Sequence, residues 1–125
     1  MGNELTQKIR NRSKIKPFIT KDGSEIREIF HPNNSSIKKM SFAEATVYPG
    51  DTTELHIHKK ADEIYFILDG KGVMEIEGKR SLVKKEDSIF IPAKNKHRIK
   101  NIGKTALKIL CSSSPSYSHK DTSLI

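Results

Sequence analysis

The 125-residue sequence predicts an all-β fold, a double-stranded β-helix or jelly-roll barrel of antiparallel strands. Three observations predict it. Short apolar runs of four to seven residues recur from Pro17 onward, Gly, Pro, Asp or Asn separates each run from the next, and no stretch past residue 16 sustains an apolar period of 3.6 residues. About ten short strands at intervals of roughly 8–12 residues mark a sandwich or barrel, and hairpin connections between them imply antiparallel pairing in two sheets.

The elements follow in order. Strands are predicted at 17–20 and 25–30, with Lys21-Asp22-Gly23 as the turn between them. Pro32-Asn33-Asn34 precedes a strand at 41–48, and Pro49-Gly50-Asp51 precedes one at 54–58. The strand at 63–68 ends in Asp69-Gly70, a hairpin signal. Glu77-Gly78-Lys79 separates 73–77 from 80–84, strands at 88–91 and 97–101 come next, and Ile102-Gly103-Lys104 leads into 106–112. These turns need a positive or a fixed φ, which Gly, Asn and Pro supply at least cost. The resulting organisation is a basic, flexible N-terminal segment at 1–16, a barrel at 17–112 and a polar C-terminal tail at 113–125. Tyr117 in that tail joins an apolar ring to a polar tip, suited to covering a pocket mouth, and the expectation is that 112–119 packs on the barrel with His119 at the rim.

Composition narrows the classes. Hydrophobic residues make up 34% of the chain, and the formal charge is +8. Residues 1–16 hold half of that charge, and the other lysines lie scattered as pairs beside turns, such as Lys38-Lys39 and Lys84-Lys85. A nucleic-acid surface gathers its bases on one face, with aromatics interleaved where single strands are bound; here there is no Trp, and the charge reads as a solvated lysine-rich surface. No nucleic acid and no membrane are expected as partners. No run nears the ~18 apolar residues of a membrane span, and the first residues lack a secretory signal's apolar stretch. Met1-Gly2-Asn3-Glu4-Leu5-Thr6 fits the acylation pattern formally, but so short a pattern is common by chance. The single cysteine, Cys111, allows neither an internal disulfide nor a thiol-based zinc site and reads as a buried small hydrophobe. The expectation is a cytoplasmic protein. Lean apolar content over so many short strands leaves faces and edges in water, so a homodimer is expected.

The chemistry gathers around His56-Ile57-His58. Alternate residues of a strand share a face, so the two imidazoles project together. A four-residue reversal, Lys59 to Asp62, leads to Glu63, and an antiparallel return brings Glu63 back beside His58. His97 opens a later strand after Ile89-Phe90-Ile91-Pro92. Three imidazoles and one carboxylate can therefore meet inside a barrel. By alternation Glu54 shares the face of His56, unless it sits at the strand's solvated start. Tyr65 shares the face of Glu63, either at the site or as plain core.

This arrangement resembles the cupin superfamily, and in particular its small single-domain bacterial members. Gly50, His56-Ile57-His58, Glu63 and Gly70 are similar to the first motif of that family; Pro92, His97 and Asn101 are similar to the second, with Glu86 and Lys94 standing where glycine is usual. The resemblance implies His56, His58, Glu63 and His97 as ligands of a divalent transition metal. An N₃O donor set suits Fe, Mn, Ni, Cu or Zn alike. It further implies a dioxygenase, an isomerase or epimerase, or a decarboxylase acting on a small oxygen-rich substrate, with Glu54 or Tyr65 as candidate acid/base. The other class it implies is a non-catalytic sugar- or effector-binding module.

Overall fold

The computed structural model describes residues 8–125; the acylation-like hexapeptide and the start of the basic segment lie outside the described residues. Eleven strands follow one another: β1 Phe18–Ile19, β2 Glu25–Phe30, β3 Ser41–Val47, β4 His56–His58, β5 Asp62–Asp69, β6 Lys71–Ile76, β7 Lys79–Lys84, β8 Ser88–Ile91, β9 His97–Asn101, β10 Leu107–Ser114 and β11 Thr122–Leu124. They form a six-stranded sheet in the order β1-β2-β3-β10-β5-β8 and a five-stranded sheet in the order β11-β4-β9-β6-β7. The pairings are antiparallel, as a jelly roll requires.

Two turns differ from their sequence reading. Neither the 59–62 reversal nor Asp69-Gly70 closes a hairpin, because β4 and β6 lie in one sheet and β5 lies in the other. Each carries the chain across the barrel. Gly70, at φ +91, makes the corner, and a Cβ there would stand 3.0 Å from Ala106 O. The hairpin signal found a real reversal and missed its direction.

Register sorts the interior into two halves. In the six-stranded sheet Leu107 faces Val47, Ile109 lies between Ala45 and Ile67, and Ser113 lies between Ser41 and Glu63. Ile67, Ile91, Ile99, Leu107 and Ile109 are almost completely buried, so one end is a dry apolar core. Each contributes roughly 1.5–3 kcal/mol of transfer free energy. Towards the other end the same alternation presents Ser41, Glu63 and Ser113. The apolar end holds the barrel together, and the polar end is free to be a site. Asn101, fully buried, secures the join: its Nδ2 donates to Val47 O and Thr105 O, and its Oδ1 accepts from Gly103 N.

Among the described residues, the segments before β1 and after β10 are both tied to the barrel. In the N-terminal segment a short 3₁₀ turn, Arg12–Lys14, brings Arg12 Nε within 2.7 Å of the buried carboxylate of Glu44, and Arg27 Nε donates to Ile15 O. At the other end β10 runs to Ser114, and β11 adds a strand beside β4 where the sequence suggests a tail. Backbone pairing is indifferent to side-chain polarity, and serine is small enough to bury once its hydroxyl finds a partner.

Glu86 and Lys94 keep the positive φ that glycine would adopt, at 77° and 71°, while Glu86 N donates to Ile67 O and Lys94 N to His58 O. The turn geometry therefore persists without glycine. A non-glycine residue pays roughly 1–2 kcal/mol there. Lys94→Gly should be neutral or stabilise the fold by up to about 1 kcal/mol, and Lys94→Val should destabilise it, read from urea midpoints; the reverse order would refute a strained turn.

Candidate metal centre

The site is built where the two sheets meet at the polar end. β4 places His56 and His58 inward, and His56 lies in register with His97 of β9, their ring centroids 4.1 Å apart. Glu63, on β5 of the opposite sheet, reaches across: its Oε1 lies 2.9 Å from His58 Nε2 and 3.5 Å from His97 Nε2. The predicted contact forms between sheets, where a paired return was expected. One ring nitrogen from each of the three histidines lies within 4.8 Å of the others.

The far side of each ring decides what faces inward. His56 Nδ1 lies 2.7 Å from Glu54 O, and His97 Nδ1 lies 2.9 Å from Asn95 O. A carbonyl oxygen only accepts, so both Nδ1 atoms carry a proton and both Nε2 atoms can present a lone pair. Thr122 Oγ1 donates to Ser118 O and is left to accept from His58 Nδ1 at 3.0 Å. All three rings are thus held by Nδ1–H donation, with Nε2 towards a common point. Such outer hydrogen bonds are how ligating histidines are oriented.

Electrostatics tightens the picture. Burial pushes the Glu63 carboxyl up, but the imidazoles of His58 and His97 outweigh it and bring its pKa down to about 2. Ser113 Oγ donates to Glu63 Oε2, whereas Glu63 Oε1 and His97 Nε2 are buried without a hydrogen-bond partner among the described residues. Burial also lowers the pKa of His56, aided by repulsion from His97. For His58 burial acts downward and Glu63 prevails, raising it. Leaving a buried polar atom unpartnered is costly. A carboxylate oxygen beside the ring nitrogens of His58 and His97, with that of His56 within 4.8 Å of both, is a donor set that fits a divalent cation.

The other sequence candidates separate. Tyr65 is buried at the cavity wall, 6.3 Å from the His97 ring in edge contact, and burial raises its pKa well above 10. Glu54 does not reach the site; its side chain is exposed and only its carbonyl serves His56. Alternation fails there because β4 begins at His56, and the irregular stretch before it buries Thr53 instead, bonded to Ile99 through backbone and hydroxyl. Cys111 lines the cavity with its thiol pKa pushed well up by burial. Tyr117 also lines the cavity, its ring 5.8 Å from that of His58, while His119 is exposed.

Three contributors were not legible in the sequence. Asp22, read as a turn residue, brings Oδ2 to 3.7 Å from His56 Nε2. Thr122 anchors His58 through β11. Asp121 accepts from the backbone N–H groups of Lys60 and Ala61, holding the reversal that delivers Glu63. The cavity opens to solvent at its mouth, and its own volume is about 50 Å³.

Known proteins resemble this chain in sequence and in fold. The family model described as the cupin domain matches residues 43–113. An uncharacterised protein of Methanocaldococcus jannaschii is 54% identical over 90% of each chain. A Thermotoga maritima protein named oxalate-binding protein is 38% identical over 58% of this chain and 60% of its own length. Among solved structures, a predicted oxalate decarboxylase from Thermotoga maritima superposes with a TM-score of 0.76 at 28% identity, covering 86% of this chain and 98% of that one.

Thr122→Val keeps the size of the side chain and removes the acceptor from His58 Nδ1. It should cost about 1 kcal/mol of stability, with the His58 Nδ1–H signal lost from ¹H–¹⁵N spectra of histidine-labelled protein. An unchanged urea midpoint with that signal intact would show that Thr122 does not hold the ring.

Proposed function

The chain belongs to the cupin family, and on that premise we propose that it is a metal-dependent enzyme in which His56, His58, Glu63 and His97 hold a divalent transition metal beside a small oxygen-rich substrate. One observation carries the reading: three imidazoles, each tied at Nδ1, hold one ring nitrogen apiece within 4.8 Å of one another, and beside those of His58 and His97 lies a buried carboxylate oxygen, Glu63 Oε1, that has no hydrogen-bond partner among the described residues. Fe, Mn, Ni, Cu and Zn all suit such donors. Bound there, the ion supplies Lewis-acid polarisation of a ligand oxygen or, if redox-active, electron transfer.

The chain's own residues do the rest. Glu63, ionised across the physiological range, balances part of the ion's charge. Ile26, Ala43 and Ala45 give the cavity an apolar wall that limits water. Tyr65 keeps its proton at neutral pH and stands as the candidate donor to a substrate oxygen. Dioxygenase, isomerase or epimerase, and decarboxylase chemistry all lie within the reach of this set. A non-catalytic binding module is the second reading. The name of the oxalate-binding relative favours it, and so does the position of Glu54, which leaves Tyr65 as the one remaining sequence-predicted acid/base. Turnover of keto acids or sugar phosphates by metal-loaded protein, with oxygen uptake followed in parallel, separates the two.

We further propose a cytoplasmic homodimer. Ile64 and Phe90 stand in register on the outer face of β5 and the edge strand β8, 51% and 60% exposed, an apolar pair that a second copy would cover. Light scattering should give twice the 14.2 kDa chain mass; the mass of a single chain at micromolar concentration would contradict it.

The ligand assignment has its own test. His58→Ala should cut metal content from about one ion per chain to a small fraction, at least tenfold by elemental analysis, while circular dichroism remains that of the intact barrel. Full stoichiometric metal in the variant would overturn the assignment.

A further inference from the structure

Resting on the metal reading, the charges around the cavity say which ligands it accepts. Three carboxylates line it or stand within it, from Asp22, Glu28 and Glu63, and no Lys or Arg lines it among the described residues. His31, 3.6 Å from Glu28 Oε2, adds no positive charge, because its Nδ1 accepts from Asn33 N and its Nε2 donates to Tyr117 O, the pattern of a neutral ring. Lys21, beside Asp22 in sequence, is turned away to the carbonyls of His119 and Thr122. A divalent ion offsets two of the three negative charges. A dianion entering the cavity would meet a net negative site with no guanidinium or ammonium to receive it, although charge-assisted pairing is the usual means of holding a carboxylate or phosphate.

Asp22 is held as a ligand-facing group would be. Its Oδ1 takes three hydrogen bonds, from Thr20 Oγ1 at 2.8 Å, Ser24 N at 3.0 Å and Ser24 Oγ at 2.6 Å. Its Oδ2 accepts none among the described residues and faces the cavity, 3.7 Å from His56 Nε2. The carboxylate is fixed by one oxygen and presents the other to the cavity. A protonated amine would suit its charge but has no lone pair to offer an ion. A hydroxyl has both, an oxygen lone pair for the ion and a hydrogen for Asp22.

We propose that the cavity takes an uncharged, hydroxyl-bearing ligand, a polyol or sugar, in preference to a carboxylate or phosphate anion, and that Asp22 Oδ2 accepts one of its hydroxyl hydrogens. The hydroxyls around the same space suit such a ligand: Ser41, which accepts from Tyr117 N, and Tyr65 each keep a hydrogen to donate, and Ser113, whose hydrogen goes to Glu63 Oε2, can accept. The preference runs opposite to the oxalate in the name of the Thermotoga maritima relative.

The test uses full-length protein loaded with Mn(II), wild type and Asp22→Asn, with metal content measured first. Isothermal titration with erythritol, mannose and oxalate should show at least one of the two neutral probes binding wild type at least tenfold more tightly than oxalate. Asp22→Asn should retain its manganese, lose at least tenfold in affinity for that neutral probe and gain at least tenfold for oxalate. Tighter binding of oxalate than of either neutral probe, binding of none of the three, or no change on substitution overturns the proposal. So does loss of manganese from Asp22→Asn, which would make Asp22 a ligand. Manganese missing from the wild type refutes the metal reading instead, and the same titrations still decide this proposal, because the three carboxylates remain.

Discussion

Glu63 sets the terms for the rest of the barrel. A carboxylate taken out of water must be compensated or neutralised, and for this one the compensating positive charge, a proton on the His58 or His97 imidazole or a cation in its place, sits at the two ring nitrogens within 3.5 Å of its Oε1. Those rings serve only if each is turned the right way, so every Nδ1 needs an acceptor. The acceptors come from three places: the carbonyl before β4, the carbonyl before β9 and the threonine that opens β11. One buried charge thereby recruits both sheets and the C-terminal strand.

Such a site is tolerable because the opposite end of the barrel is dry. The inward positions of β3, β5 and β10 pass from Ser41, Glu63 and Ser113 to Val47, Ile67 and Leu107 over a few residues, so one set of strands supplies both the polar wall and the apolar core. The apolar core cluster contains none of the four candidate ligands, so changes to those ligands are expected to alter the site without unfolding the chain. The C-terminal segment belongs to this economy. Thr122 orients a ring, Asp121 ties down the reversal before Glu63, and Tyr117 lines the cavity.

Much of this was legible in the sequence, and the reasons are particular. The β-strand period of two makes His56-Ile57-His58 readable as a same-face pair, and ten of the eleven strands are marked by apolar runs between Gly, Pro and Asn. β11 was hidden because Thr122–Leu124 is short and sits in a serine-rich stretch, where backbone pairing leaves no apolar trace. Local pattern also cannot say whether two successive strands share a sheet, so Asp69-Gly70 read as a hairpin. Glu54 shows the limit of alternation, since irregular backbone ahead of β4 turns it to solvent. Asp22 lay beyond any local rule: its turn is ordinary in sequence, and only tertiary folding sets it beside His56.

The central claim is that three imidazoles and one carboxylate form a ready-made centre for a divalent transition metal. X-ray absorption on cobalt-loaded protein tests it most directly, because multiple scattering from imidazole rings counts the histidines bound. The account predicts a first shell of nitrogen and oxygen only, with the outer-shell pattern of three imidazoles that falls to two in His97→Ala. A sulfur scatterer from Cys111, or fewer than three imidazoles in the wild type, would contradict it.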